Sequence, residues 1–359
     1  MPLRIVDDCC GIGTASTALE MALKGNDFKI VKLEASESDD CLRRWIKKNL
    51  GFKRVIKDCN DKRRFRKNGK GRKQRTYHIY TSGFACQPWS IAGNNHGLAD
   101  SRSSTLTGCL KYIKTQEPQI FVLENVKNFA GPKHLHVKNK LMKQLKRHKY
   151  IVHEAILNSL DCGSCQSRER WYCVGYKKKL AKAARFNFKW PSKQPGLSLS
   201  NVFSLKFDDV AVGSYSYTIQ RNWSEIEKVL NSDPRWKEQP GPFIVDLFQS
   251  PSRGVLLRAN CCPTITRVHA ENQAYWLVVV QTNSDKRRKY VKRPLGTQDL
   301  LVIQGWPFES FARFKSLPAR NMRAALGNAM NLAVMKKVWK SLKELLVYMD
   351  KKDMRSSEH

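Results

Sequence analysis

Short apolar runs alternate with amphipathic stretches through the first part of the chain. Runs rich in β-branched and aromatic residues predict strands at 3–7, 28–33, 78–81 and 120–123. After Gly13, alanine and leucine recur at three- and four-residue spacing as far as Leu23, which predicts an amphipathic helix. Strands that alternate with helices are typical of an α/β fold with a doubly wound, mostly parallel sheet. We predict that fold here.

The remaining pattern divides the chain further. Residues 62–73 are rich in lysine, arginine and glycine and have little to bury, which predicts a mobile loop that faces a polyanion. Proline, serine, lysine and glycine around 190–196 predict a linker. The apolar pattern from Ala324 to Met349 predicts one long closing helix. The predicted organisation is a first domain at 1–191, a small region at 192–253, a segment returning to the first domain at 254–350, and a disordered tail at 351–359.

A tight glycine turn, Gly11-Ile12-Gly13, follows the first predicted strand and precedes the first helix. Glycines at such a turn let the backbone approach a ligand closely. Glu34 ends the next predicted strand, where a carboxylate can accept from both hydroxyls of a ribose, and Asp58 closes a third strand-like segment, placed for an adenine amino group. Ordinary turns and solvated carboxylates at strand ends fit the same residues, so the sequence leaves both interpretations open.

Charge narrows the class of partner. The formal net charge is +34, which attracts polyanions, and nucleic acid is the expected partner. A basic protein that binds nucleic acid without acting on it has the same charge.

The cysteines and the apolar runs indicate the compartment. Eleven scattered cysteines indicate a reducing, intracellular compartment. No stretch approaches membrane-spanning length and the chain opens directly on a strand, so we expect a soluble, unprocessed protein with no membrane partner, nuclear if eukaryotic and otherwise in the cytoplasm or nucleoid.

Several short motifs occur in one order along the chain. They are Gly83-Phe-Ala-Cys-Gln-Pro-Trp-Ser90, Asp100-Ser-Arg102, Phe121-Val-Leu-Glu-Asn-Val126, Gln166-Ser-Arg-Glu-Arg170, Gln304-Gly-Trp-Pro307 and Gly327-Asn-Ala-Met330. Together they resemble the cytosine-C5 DNA methyltransferase family over nearly the whole chain. Unrelated motifs that coincide in order are far more specific than any one of them.

The resemblance implies covalent catalysis, because cytosine C5 is too poor a nucleophile to attack a methyl sulfonium unaided. The thiolate of Cys86 would add to C6, and Glu124 would contact N3 as charge builds on the ring. Asn125 would position the nucleophile loop, and Arg168 and Arg170 would face the base O2 and that loop. The base must leave the duplex stack to reach these groups.

The residues taken alone have simpler interpretations. Cys86 could be an inert buried thiol, and Glu124 a carboxylate at the start of a helix. Arg168, Arg170 and Tyr172 alternate on a predicted strand, where the arginines could also form a surface salt-bridge ladder.

The resemblance also implies S-adenosylmethionine as cofactor and double-stranded DNA as partner, with no obligate protein partner evident. The implied cofactor contacts are Asp7, Cys9, Gly11, Gly13, Glu34, Asp58, Asn328 and Ala329.

The chain departs from the family pattern at a few positions. Ala85 stands where the family has proline before the nucleophile, which loosens the backbone of the loop. Cys9 and Cys10 replace apolar or aromatic residues, and Ala329 replaces serine. The recognition region is short, and we expect the aromatic residues in it to fill a small core rather than read bases. Its larger residues include Tyr215, Tyr217, Arg221, Trp223 and Trp236.

Two other functions compete with DNA methylation. A tRNA cytosine methyltransferase of the same fold would use the same residue types, but its characteristic Cys-Phe-Thr tripeptide is absent from this sequence. A catalytically silent nucleic-acid-binding homologue would retain the fold and the charge, but the intact catalytic motifs argue against it. A zinc site built from Cys162, Cys165, Cys261 and Cys262 is conceivable but not expected, because both segments belong to family motifs.

Overall fold

The computed structural model describes residues 2–26, 28–65, 78–90, 97–239, 241–249, 254, 256–282 and 288–355. The chain forms two compact units. The first comprises Met1–Asn158, Glu169–Ser192 and Val334–His359, and the second comprises Ser159–Arg168 and Lys193–Ala333. Each unit has its own hydrophobic core.

The first unit alternates strands and helices. Its elements are β1 (Leu3–Asp8), α1 (Thr14–Leu23), β2 (Ile30–Ser36), α2 (Asp40–Asn49), β3 (Arg54–Ile56), β4 (Ile79–Ser82), α3 (Ser104–Gln116), β5 (Ile120–Val126), α4 (Leu135–Arg147), β6 (Tyr150–Asn158), β7 (Glu169–Lys177) and α5 (Lys178–Ala184). Helix α1 buries the alanine and leucine stripe that its spacing predicts.

The described residues of this unit place seven strands in one sheet, in the order β3-β2-β1-β4-β5-β7-β6. The strands from β3 to β5 pair in parallel, whereas β7 is antiparallel to both of its neighbours. The central strands are buried along almost their whole length, as expected for a sheet that is covered on both faces. The prediction of a doubly wound, mostly parallel sheet is confirmed.

The second unit contains a smaller antiparallel sheet. Its elements are α6 (Leu199–Val202), α7 (Tyr217–Ser232), α8 (Pro234–Lys237), β8 (Phe243–Asp246), β9 (Leu256–Ala259), α9 (Arg267–Glu271), β10 (Tyr275–Thr282), β11 (Arg288–Pro294), α10 (Thr297–Ile303), α11 (Phe311–Phe314) and α12 (Ala319–Asn328). Among the described residues, four strands form the order β11-β10-β8-β9.

Helix α7 packs on this sheet through Trp223, which is 6% exposed. Tyr215 and Trp236 pack against the same core, as expected for these aromatic residues. Tyr217 does not follow that expectation, because 76% of it is exposed.

The division of the chain differs from the predicted organisation. Residues 254–333 do not return to the first unit, because β9 and β10 pair with β8 in the sheet of the second unit. The predicted boundary near residue 253 lies among residues outside the described ones. Cross-strand pairing between distant segments leaves no mark in local periodicity, so the pattern could not reveal it.

The single closing helix predicted from Ala324 to Met349 is wrong. The chain forms α12, then α13 (Leu332–Ser341) and α14 (Lys343–Arg355). Ala329 adopts an extended conformation, and Asn331 Oδ1 accepts from the N–H of Ala333 at 3.1 Å, which starts the next helix. The predicted disordered tail overlaps α14, and residues 356–359 lie outside the described part.

In the part of the chain that the structure describes, no helix is both long and apolar enough to cross a membrane.

Candidate active site

The glycine turn after β1 has a left-handed backbone at both glycines, with φ of 55° at Gly11 and 74° at Gly13. A Cβ on Gly13 would displace the end of the Leu50 side chain, and any side chain there would also strain the left-handed backbone. A Cβ on Gly11 would meet nothing within 4 Å. The backbone at Gly11 therefore borders open space, as a turn that cradles a ligand must.

Asp7 lies at the end of β1 and is buried, with 1% exposed. Thr81 on the neighbouring strand β4 donates its hydroxyl to Asp7 Oδ1 at 2.7 Å, and the Cys10 thiol lies 3.6 Å from Oδ2. Burial raises the pKa of Asp7 to about 6, although the hydrogen bond from Thr81 opposes the shift.

Glu37, which the sequence pattern did not single out, is the acid beside the glycine turn. It directly follows β2. Its Oε2 accepts from the N–H of Gly11 at 2.9 Å, and its Oε1 accepts from the N–H of Asp39 at 2.9 Å. The sequence did contain a signal for Glu37, because it is the first acidic residue after β2 when that strand is taken to end at Ser36.

Glu34 lies inside β2 and does not have a free carboxylate. Its Oε1 accepts from Arg64 Nε at 2.6 Å, and its Oε2 pairs with an Arg54 guanidinium nitrogen at 3.0 Å. Both oxygens thus serve ion pairs, and the side chain is only 12% exposed. The structure therefore gives Glu34 a structural role in place of the predicted ribose contact.

Arg64 belongs to the basic run that we predicted to face a polyanion, and for this residue the prediction is wrong. Its side chain is 1% exposed and makes two 3.0 Å hydrogen bonds to the buried carboxylate of Asp8. Tyr80 donates its hydroxyl to the same carboxylate at 2.8 Å. Residues 66–73 of the run lie outside the described residues.

Asp58 lies in the turn after β3 and is exposed. Its Oδ1 accepts from the N–H of Asn60 at 2.8 Å. Cys9 has a left-handed backbone with φ of 52° and is half-buried. Its pKa is raised by a hydrogen bond with the Cys59 thiol and by burial, so the thiol is neutral.

The nucleophile loop follows β4, and its backbone is fixed by side chains from other elements. Asn125 on β5 donates its amide to Phe84 O at 2.8 Å, and Asn128 donates to Trp89 O at 2.7 Å. Thr105 Oγ1 accepts from the N–H of Ala85 at 3.0 Å. Cys86 lies within these anchors and is half-buried.

Charged groups flank this loop. Glu124, on β5 one residue before Asn125, is 8% exposed, and its Oε1 lies 3.4 Å from Arg170 Nε on the antiparallel strand β7. The pKa of Arg102 is raised, first by its hydrogen bond to Asp100 and in smaller part by the charge of Cys86.

Arg168 is not part of the strand that carries Arg170. Strand β7 begins at Glu169, and Arg168 belongs to the second unit. Its buried guanidinium donates to Ile265 O at 2.7 Å and to Ala329 O at 2.9 Å. We predicted that Arg168, Arg170 and Tyr172 alternate along one strand. This prediction is wrong for Arg168, because β7 begins one residue after it.

Asn328 and Ala329 also lie in the second unit. Asn328 is the exposed last residue of α12, and Ala329 caps that helix with 8% of its surface exposed. The nucleophile loop, Glu124, Arg170 and the glycine turn all belong to the first unit.

The chain is similar to known proteins over most of its length. The sequence model described as C-5 cytosine-specific DNA methylase matches residues 3–344. The chain belongs to this family.

Two curated relatives of this methylase are bacterial. Type II methyltransferase M.HaeII of Haemophilus aegyptius is 27% identical over 262 residues, which cover 73% of this chain and 72% of the relative. Type II methyltransferase M.Bsp6I of a Bacillus strain is 26% identical over 73% of this chain and 77% of the relative.

A similar solved structure is that of the Entamoeba histolytica methyltransferase EhMeth. It has a TM-score of 0.65 and 13% identity, and the match covers 96% of this chain and 99% of that one. At this identity the likeness shows the fold only.

The cysteines of this methylase outside the nucleophile loop are free thiols, and each of them is buried or half-buried. Among the described residues, no group of three or more histidine, cysteine or acidic side chains could hold a metal ion. Burial raises the pKa of Cys165 to about 12 and that of Cys262 well above its usual value. These two segments are joined by the backbone, since Cys262 N–H donates to Cys165 O at 2.8 Å.

Proposed function

We propose that this protein transfers a methyl group from S-adenosylmethionine to C5 of a cytosine flipped out of duplex DNA, with Cys86 as the covalent nucleophile. The observation that carries the proposal is the anchored loop around Cys86. Side chains of Asn125, Asn128 and Thr105 fix its backbone. Acidic and basic groups lie on the adjoining strands. A merely structural cysteine does not need such anchoring.

In the proposed reaction the Cys86 thiolate adds to C6 of the flipped base, which makes C5 nucleophilic. Glu124 faces N3 and shares a proton with it as negative charge builds on the ring, while Arg170 fixes the Glu124 carboxylate. After C5 has been methylated, a base removes the C5 proton and the Cys86 thiolate leaves C6.

S-adenosylmethionine, when bound, supplies an electrophilic methyl group. The residues of the first unit fit it at the glycine turn, where Gly11 borders open space and Glu37 offers a carboxylate. We propose Glu37, rather than Glu34, as the ribose acceptor, because both oxygens of Glu34 are engaged by arginines. The other cofactor contacts that we propose in the first unit are Asp7, Cys9, Gly13 and Asp58. Asn328 and Ala329 are retained on the resemblance alone.

Arg168 keeps its predicted role at the base O2 on the resemblance alone, because its guanidinium binds carbonyl groups of the second unit. Duplex DNA is favoured over tRNA because the matching family is described as a cytosine-specific DNA methylase, and because the tRNA-type tripeptide is absent. The net charge of +34 fits either polyanion and does not separate them.

The test supplies purified protein with tritiated S-adenosylmethionine and compares label in duplex DNA, in total tRNA and in a Cys86→Ala control at matched salt. We expect label in DNA with wild type only. Wild type should also form a covalent adduct with DNA that contains 5-fluorocytosine, because fluorine at C5 cannot leave as a proton does. Label in tRNA but not in DNA would overturn the substrate, and full activity of Cys86→Ala would overturn the mechanism.

A further inference from the structure

The residue before Cys86 is held by a side chain from a different element than the rest of the nucleophile loop. The carbonyl groups of Phe84 and Trp89 accept from amides on β5 and on the turn after it. The N–H of Ala85 instead donates to Thr105 Oγ1, at 3.0 Å, in the first turn of α3.

This hydrogen bond is available only because residue 85 is not proline. Proline has no backbone N–H, and its ring restricts φ to about −65° without help from a neighbour. The family pattern described above has proline before the nucleophile, whereas Ala85 has a donor and no ring. A loop with alanine at this position needs another restraint to keep the nucleophile in place.

Thr105 also connects the loop to the turn that carries Arg102. Its hydroxyl donates to Arg102 O at 2.9 Å while it accepts from Ala85. The bond to Arg102 is the ordinary i−3 contact of a threonine in a helical first turn. The hydrogen bond from the Ala85 N–H, which lies 20 residues earlier in the chain, is not needed to start the helix.

We propose that Thr105 is a positioning residue whose hydroxyl replaces the missing proline ring and sets the placement of Cys86 against its target carbon. This inference rests on the proposed function. Thr105 acts on Cys86 only through the Ala85 backbone. We therefore expect it to affect the chemical step and not the binding of DNA or cofactor. Loss of the hydroxyl should lower kcat on the order of tenfold, since small misplacements of a reacting group slow its chemistry strongly.

The experiment compares Thr105→Val, which removes the hydroxyl at nearly constant volume, with Thr105→Ser, which keeps it. Each is made in the wild-type chain and in Ala85→Pro. The readouts are kcat, the KM values for DNA and for S-adenosylmethionine, the rate of adduct formation with 5-fluorocytosine DNA, and the melting temperature.

We expect Thr105→Val to lower kcat and the rate of adduct formation by about tenfold, with both KM values within about twofold. Thr105→Ser should behave as wild type. In the Ala85→Pro background, Thr105→Val should cost no more than about twofold, because the ring supplies the restraint.

Equal kcat values for Thr105→Val and Thr105→Ser would overturn the role of Thr105 while leaving the proposed function intact. The same tenfold loss in both backgrounds would also overturn it, since the hydroxyl would then act independently of residue 85. Should Ala85→Pro fail to fold by its melting temperature, the comparison of valine with serine decides alone. A wild-type protein that transfers no methyl group would instead overturn the proposed function, and this inference with it.

Discussion

The buried ion pair between Asp8 and Arg64 offers the sharpest stability test in the first unit. Asp8 is fully buried, and the side chain of Arg64 is 1% exposed. Burial disfavours the charge of Arg64, but Asp8 and Glu34 more than offset this, so the pKa of the guanidinium is raised. Arg64→Met would keep an apolar stem but would remove the charge, the donors and the contact of the guanidinium with the Tyr112 ring, whose centroid lies 4.6 Å from the guanidinium carbon.

The expected loss follows from the bonds that would break. Arg64 makes two hydrogen bonds to Asp8 and one to Glu34, and it also donates to Cys59 O at 2.6 Å. Glu34 would still have Arg54, but Asp8 would be a buried carboxylate without a cation. Removing one partner of a buried pair costs about 3–5 kcal/mol, and we expect Arg64→Met to lower the free energy of unfolding by that amount.

The assay is urea unfolding followed by circular dichroism, with S-adenosylmethionine absent. The matched control is Lys127→Met, which breaks the exposed 2.9 Å pair with Glu169 in the same unit and should cost less than about 1 kcal/mol. In the double variant Asp8→Leu with Arg64→Met, no unpaired charge is left at Asp8. At least about 2 kcal/mol of the loss should then return. A loss below about 1 kcal/mol for Arg64→Met, or no recovery in the double variant, would refute the reasoning.

Three further outcomes are expected. Because burial raises the pKa of Asp7 from 3.8 to about 6, its carboxylate opposes folding once ionised, and stability falls as pH rises through that interval. Asp7→Asn should therefore raise the free energy of unfolding at pH 7.5, by up to about 3 kcal/mol, and leave it unchanged below pH 4, as pH-dependent urea titrations would reveal. Glu37→Ala should weaken S-adenosylmethionine binding by about 100-fold in calorimetry, whereas Glu34→Ala should not; the reverse order would restore Glu34 as the ribose acceptor. Replacing the lysines and arginines of 66–73 by glutamine should flatten the salt dependence of DNA affinity, by about 0.9 in log-log slope for each phosphate that is no longer neutralised, and an unchanged slope would make this segment a bystander.

The parts of the fold that sequence could predict are those whose signal is local. The stripe that follows Gly13 and the short apolar runs are read within one element, and both occur as expected. The sheet of the second unit depends on Phe243 pairing with Ala259 and on Tyr275 pairing with Asp246, which are contacts between separate segments. Such pairing follows from tertiary packing and leaves no local period.

In the candidate site, too, some residues could be predicted from local sequence and others could not. Cys86 and Glu124 stand out because their motifs resemble those of the methyltransferase family, whereas the choice of Glu34 over Glu37 followed from ending β2 three residues early. Arg64 looks like its neighbours in a basic run, and only its pairing with Asp8, 56 residues earlier, makes it buried. An aspartate in a strand predicted to lie inside the sheet was the available clue, because a buried charge requires a partner.

The first unit is discontinuous in the chain, and this has a consequence for biosynthesis. Trp339 Nε1 donates to Ala15 O at 3.0 Å, so the last segment of the protein completes the packing around its first helix. Residues from 193 to 333 must leave the ribosome between these two parts of the unit. At about 5–20 residues per second, this interval lasts roughly 7–28 s. During that time the nascent N-terminal sheet must persist without its closing helices, and a chain truncated before residue 334 would remain a substrate for chaperones and proteases.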